Sequence, residues 1–213
     1  MKEMLSLALA LLFIVAAPPA LAQEEAPDAL MRRISDEVIA EIRKDRDLRA
    51  GDGAKITALV DAKIVPHFDF RRITRIAMGA SWRRANPEQQ ERVTREFQTL
   101  LVRTYSGALA GYRNQAIEFK PLRAAPDDTE VTVKSQVRQP GAEPIAIEYD
   151  LAKTGRGWKV FDVRIAGMSL VANYRSAFAE EVRNNGVEGL IALLSRKNAT
   201  GVRQTAAGGV ARR

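Results

Sequence analysis

The 213-residue chain contains no cysteine and a single histidine. Disulfides, thiolate metal sites and cysteine nucleophiles are thereby excluded, and one imidazole does not build a histidine-rich metal centre. No GxSxG, HExxH, P-loop or dinucleotide fingerprint occurs either. His67, in Pro66-His67-Phe68-Asp69, is the one candidate general base of its type, but with Asp69 two residues on at a helix start it reads as a polar residue at a capping turn. Asp127-Asp128 reads as an Asx turn. The expectation is no catalytic residue, no metal and no cofactor. One enzymatic alternative stays open: a small isomerase-like cavity enzyme using Asp150 or Asp162, although both alternate away from the apolar face of their strands.

Apolar runs long enough to cross a membrane are absent as well. The apolar run Leu5 to Ala17, about 13 residues, falls short of the roughly 20 that a spanning helix needs. Lys2 before it and Ala20-Leu21-Ala22 after it complete a secretory signal peptide over residues 1–22, with cleavage expected after Ala22. The protein is thus expected outside the cytoplasm, in a secreted compartment where nucleic acid is no natural partner. The formal net charge is +7. Arg196, Lys197, Arg203, Arg212 and Arg213 concentrate positive charge at the C-terminus, and Gly201 to Arg213 has no apolar period. We expect one domain over 23–197 and a disordered basic tail over 198–213.

Within the domain, Leu30, Ile34, Val38 and Ile42 recur at four-residue spacing and predict a one-faced helix. Residues 48 to 53 should break it, and Ile56, Leu59, Val60 and Ile64 restart the helical period before Pro66. A short helix is expected from Asp69, a natural N-cap, to Gly79, which suits a C′ position. The longest helix should open at Asn86-Pro87-Glu88-Gln89, where Asn caps, Pro takes the first helical position and Gln89 completes a capping box. Its stripe runs through Val93, Phe97, Leu100, Leu101, Tyr105, Ala108 and Tyr112. Trp82, between the two helices, is expected to anchor one on the other.

The period then changes to two. Ile117 and Phe119 form one segment; Val131, Val133 and Val137 a second; Ile145, Ile147, Tyr149 and Leu151 a third; Phe161, Val163 and Ile165 a fourth. Short turns separate them, which predicts an antiparallel meander with one wet side. Two further helices are expected, the first capped by Ser169 and ended by Asn184-Asn185-Gly186, the second carrying Val187, Leu190, Ile191 and Leu194. The predicted fold is α+β: an antiparallel sheet of four or more strands wrapped by about six helices.

Two stretches carry a family pattern. One is Val65-Pro66-His67-Phe68-Asp69-Phe70-Arg71-Arg72-Ile73, continuing to Gly79-Ala80-Ser81-Trp82. The other is Trp158-Lys159-Val160-Phe161-Asp162-Val163, followed by Gly167-Met168-Ser169-Leu170-Val171 and Asn173-Tyr174-Arg175. From about residue 30 to 195 the chain resembles the MlaC, or toluene-tolerance, family of periplasmic phospholipid-binding proteins. Phe161 stands where a Tyr is common. The resemblance implies a non-enzymatic monomeric carrier with a glycerophospholipid as cargo, its acyl tails held in an apolar cavity between sheet and helices. The partners it implies are an outer-membrane lipoprotein-porin complex and the periplasmic domain of an inner-membrane ABC transporter. A branch of the family travels with hopanoid biosynthesis, so a hopanoid-associated carrier is the alternative cargo reading.

Physical chemistry asks the same of such a carrier. A diacyl lipid exposes roughly 30 tail methylenes at about 0.8 kcal/mol each, so tails in water cost about 25 kcal/mol and must be enclosed. On the long helix the candidates to line the cavity are Phe97, Leu100, Leu101, Tyr105, Ala108 and Tyr112. On the sheet they are Val133, Ile147, Tyr149, Phe161 and Val163, and near the C-terminal helices Val171 and Tyr174. The same residues would also suit a solid core, since sequence does not report cavity volume. Arg71, Arg72, Arg83 and Arg84 lie off the apolar period and are expected as rim charges for partners.

Overall fold

The computed structural model describes residues 25–112, 114–125 and 127–200; the expected signal peptide and the residues from 201 onward lie outside them. Helix α1, Pro27–Lys44, starts on a proline with Asp28 in its first turn and ends with Arg43 and Lys44 in its last, charges that suit the helix dipole. Its buried side chains are Pro27, Leu30, Met31, Ile34, Val38 and Ile42. The segment expected as a plain break contains a short helix, α2, Arg46–Ala50. Asp45 caps it through the backbone N–H groups of Asp47 and Leu48, and Gly51 ends it at φ 85°. Asp52 then caps α3, Gly53–Lys63, by accepting from the Lys55 N–H at 2.9 Å. Three Asp and Gly residues in close order thus stop one helix and start the next, which apolar periodicity alone does not reveal.

A 3-10 turn, Val65–His67, leads to α4, Phe70–Met78, capped by Asp69 and closed at Gly79. Asp69 spends its side chain on the Arg72 N–H. Burial lowers the His67 pKa, and the capping-turn reading holds. After a second 3-10 stretch, Gly79–Arg84, comes α5, Pro87–Ala110, with both bonds of its capping box formed between Asn86 and Gln89.

The sheet has five antiparallel strands in the order β1-β2-β3-β4-β5: Ala116–Phe119, Glu130–Arg138, Ile145–Thr154, Gly157–Ile165 and Met168–Ser169. The last, two residues long, is too short to show a period. Ser169 belongs to this strand rather than to a helix cap, and its hydroxyl accepts from the Ala172 N–H at the start of a single 3-10 turn, Ala172–Tyr174. Helix α6, Arg175–Thr200, follows and is broken at Gly186, whose φ of 69° and ψ of −175° are not helical. The two expected helices are therefore both present and meet directly at the Gly186 kink. The second continues past the expected domain end, since Asn198 is buried and donates to the Glu96 carbonyl and carboxylate.

One correction concerns β4. Asp150 pairs with Asp162 but Leu151 pairs with Val160, leaving Phe161 as a bulge between them. Val160, Val163 and Ile165, not Phe161, Val163 and Ile165, therefore stand opposite Leu151, Tyr149 and Ile147. The Phe161 ring takes the Arg72 guanidinium, whose carbon lies 3.6 Å from the ring centroid.

No helix among the described residues is long and apolar enough to cross a membrane.

Candidate functional site

Apolar side chains collect in two separate cores. The first joins α4, the Trp82 stretch, the N-terminal half of α5 and α6 around Phe97, Leu190 and Leu194. The second joins α1, α2 and α3 to the sheet around Ile42, Ile56, Val133, Leu151 and Val160. Helix α5 packs on α3, α4 and α6, whereas α1 is the helix that lies closely along β1 and β2. In the C-terminal half of α5, Leu109 and Ala110 pack against the second core, and Leu101 and Tyr105 are only half-buried.

Along α5 the buried face passes from Val93 and Phe97 to Val102 and Ser106. Phe97 is fully covered, Leu101 and Tyr105 are half-buried, and Ala108 is exposed. Leu100 and Leu101 lean on the first core. Tyr112 is half-buried at the other end, leaning on the second core, and its hydroxyl accepts from Arg43 at 3.0 Å. The strand register places Ile147, Tyr149 and Val163 on one side of the sheet, with Ile147 opposite Ser135 and Tyr149 opposite Val133. All three are half-buried. A solid core fills such positions completely.

Several expected lining residues are placed elsewhere. Phe97, Val133 and Val171 are 0%, 0% and 3% exposed and belong to the solid cores, leaving a ligand almost no surface to touch. Phe161 is engaged with Arg72 as described. Leu100, Leu101 and Tyr174 pack against the first core, and Tyr149 and Val163 against the second.

The polar atoms in this region are hydroxyls. Tyr105 and Tyr174 face each other within hydrogen-bonding reach, and Thr104 lies beside Tyr174. Tyr174 also meets Phe97 edge-on with centroids 4.9 Å apart and Phe178 at 5.6 Å. On the sheet, Ser135 donates to the Ile147 carbonyl and bonds to Tyr149. Burial pushes all three phenols above their ordinary pKa, so they stay neutral donors at any physiological pH. Ser135 was open to detection, being a polar residue on the inward period of a valine strand. Thr104 and Tyr174 were not open to pairing from sequence, since they come from elements far apart in the chain.

Acidic groups are tied up on the opposite face of the sheet. Asp150 is held by Arg164 and Thr132, and Asp162 accepts from Ser169 at 2.6 Å and from the Val171 N–H. Both carboxylates are engaged by protein partners, and the cavity-isomerase alternative loses its base. Among the described residues no group of three or more His, Cys, Asp or Glu is placed to hold a metal. Two open crevices lie elsewhere: one of about 430 Å³ beside Asn114, Arg138 and Pro144, one of about 360 Å³ between α5 and α6 beside Arg92 and Glu188. Both have charged rims that suit water better than acyl chains.

Arg71 and Arg72 are structural rather than rim charges. Arg71 donates to Gln90 and lies over Trp82, while Arg72 pairs with Glu130 at 2.7 Å. Arg83 and Arg84 are exposed.

Comparison with known proteins points in one direction. The profile of the family described as MlaC protein matches residues 32–196. The intermembrane phospholipid transport system binding protein MlaC of Haemophilus influenzae is 22% identical over 171 residues, covering 79% of this chain and 80% of that protein. The toluene tolerance protein ttg2D of Pseudomonas putida is 25% identical over 178 residues, covering 83% and 82%. Among solved structures, the phospholipid-binding protein from Ralstonia solanacearum in complex with a phospholipid is 46% identical, with a TM-score of 0.76 over 83% of this chain and 98% of that one.

Proposed function

The chain belongs to the MlaC family, and from that premise we propose that it is a periplasmic carrier that moves a glycerophospholipid between membranes. It is a binding protein and not an enzyme, as the family is. In this reading the acyl tails lie between the C-terminal half of α5 and the sheet, against Leu101, Tyr105 and Tyr174 on one side and Ile147, Tyr149 and Val163 on the other. The observation that carries this reading is the fold shared with a relative that was solved holding a phospholipid. Half-buried apolar side chains on α5 and on the sheet support it locally, because tails seated on them would complete their burial.

Transfer follows from the same energetics. Moving tails from a bilayer to an apolar gap exchanges one hydrocarbon environment for another, so the roughly 25 kcal/mol of water exposure is avoided and direction comes from the partners. Those partners are the outer-membrane lipoprotein-porin complex and the periplasmic domain of the inner-membrane ABC transporter, with the carrier monomeric between them. Native mass spectrometry of protein isolated from the periplasm without detergent tests the reading. About one phospholipid per chain is expected; lipid-free protein even when freshly isolated would contradict it.

A further inference from the structure

Four arginines on neighbouring elements have no acidic partner. Arg75 lies in the last turn of α4, Arg83 and Arg84 in the last turn of the 3-10 stretch Gly79–Arg84, and Arg175 at the start of α6. These three pieces of chain pack on one another. Gly79 marks where they meet: its N–H donates to the Arg75 carbonyl, and the Arg175 guanidinium comes within 3.8 Å of the position that a side-chain carbon on Gly79 would take. All four arginines are exposed, and among the described residues none of them forms an ion pair. Arg72 and Arg164, by contrast, are taken by Glu130, Glu148 and Asp150. The chain from Arg71 to Ala85 contains no Asp or Glu, nor does the chain from Val163 to Ala179, and the first turn of α6 is equally free of acid.

Cations gathered in this way repel one another, and among the described residues nothing offsets them. The balancing charge comes from outside the chain. A stable protein interface is built around buried apolar or aromatic anchors and keeps its charges at the rim. The arginine face has no such anchor: exposed Ala80 is small, and the one widely exposed large apolar side chain among the described residues, Met168, is on β5. A phosphate surface needs no anchor, and a guanidinium matches each phosphate with two parallel donors. We infer that this face is a docking surface for an anionic phospholipid bilayer, held by charge alone. Arginines at its edge also steer protein partners; its centre, Arg75 and Arg175 at Gly79, fits lipid phosphates. Such a contact weakens with salt and puts no side chain into hydrocarbon, so the protein leaves the membrane as readily as it arrives. The inference goes beyond the carrier reading and is independent of where the acyl chains sit.

The test is sedimentation of the full secreted chain with vesicles of phosphatidylcholine alone or of phosphatidylcholine mixed with phosphatidylglycerol, at low and at high salt. One arginine near an anionic surface contributes about 5-fold to partitioning. Wild type is expected to bind the phosphatidylglycerol vesicles at low salt, to leave them at high salt and to ignore phosphatidylcholine. The quadruple variant Arg75→Gln, Arg83→Gln, Arg84→Gln, Arg175→Gln should lose about 100-fold or more. A control that removes four exposed arginines elsewhere, Arg46→Gln, Arg49→Gln, Arg103→Gln, Arg123→Gln, should lose far less. If the quadruple variant fails to fold, the pair Arg75→Gln, Arg175→Gln is read in its place and should lose about 25-fold. Equal binding of wild type to both kinds of vesicle, or binding to neither, overturns the inference. So does a control that loses as much as the quadruple variant, because net charge then suffices. A quadruple variant that binds like wild type overturns it too, and assigns the contact to the C-terminal Arg203, Arg212 and Arg213. Co-purified phospholipid, read by native mass spectrometry, reports on carriage separately, so failure of the docking surface and failure of the carrier reading are told apart.

Discussion

The side-chain amide of Gln90 donates to the backbone carbonyl of Trp82 at 3.1 Å, tying the first turn of α5 to the stretch that follows α4. The same amide reaches the Ala85 carbonyl at 3.2 Å, and its oxygen accepts from Arg71, whose guanidinium lies over the Trp82 ring. Trp82 itself is 8% exposed within the first core. Replacing it by alanine removes a large buried ring and is expected to cost about 3 to 5 kcal/mol. Urea unfolding of lipid-free Trp82→Ala checks this; a midpoint equal to wild type would show that Trp82 is no anchor.

Gly186 should resist any side chain. Its φ of 69° with ψ of −175° lies in a region that is nearly glycine-only, and the kink lets the two halves of α6 pack Phe178 and Val182 on one side and Leu190 and Leu194 on the other into one core. Gly186→Ala is expected to lose about 1 to 3 kcal/mol, measured by thermal unfolding. The space around the α-carbon is open, so the loss is a matter of backbone conformation and not of collision.

Acid should weaken the outer face of the sheet. Arg164, then Lys134, hold the Glu148 carboxyl below its ordinary pKa of 4.5. A carboxyl depressed in the folded state binds fewer protons there than when unfolded, so its contribution is present above the unfolded value and is lost as pH falls through the folded one. The stability difference between wild type and Glu148→Gln is expected to be full at neutral pH and to shrink below about pH 4.5 as the carboxyl is protonated. Denaturation curves across that range give the comparison, and a gap that widens in acid would reverse the assigned sign.

Arg83 and Arg84, exposed beyond the core that holds Trp82, remain available to partners. Reversing both to glutamate should leave the melting temperature within a few degrees while slowing association with the transporter's periplasmic domain and changing its salt dependence. Surface plasmon resonance at two salt concentrations reads the outcome; unchanged kinetics would remove this face from the interface.

Local signals were the legible ones. Asn86, Pro87 and Gln89 specify the start of α5 within four residues, and Asp69 and Gly79 bracket α4, because caps depend only on neighbouring backbone groups. Strand alternation likewise located β1 to β4. The bulge at Phe161 was hidden because it exists only in the pairing of β4 with β3. The same holds for the site: the α5 stripe was visible as a stripe, but whether Phe97 and Leu101 meet protein or empty space depends on how far α5 stands from the sheet. Phe97 turned out to be covered and Leu101 half-open, a distinction that periodicity cannot draw.

Leu101 is therefore where the account is most exposed. It sits one turn from both covered Phe97 and half-buried Tyr105. In a solid core, Leu101→Trp would overpack and cost about 1 to 3 kcal/mol; in the proposed gap the indole takes the room of the tails. Native mass spectrometry of the variant isolated from the periplasm, beside its lipid-free melting curve, tests this most directly. The account predicts near wild-type melting with most of the co-purified phospholipid gone. A variant that melts like wild type and still carries a full complement of lipid would contradict the placement of the acyl chains between α5 and the sheet.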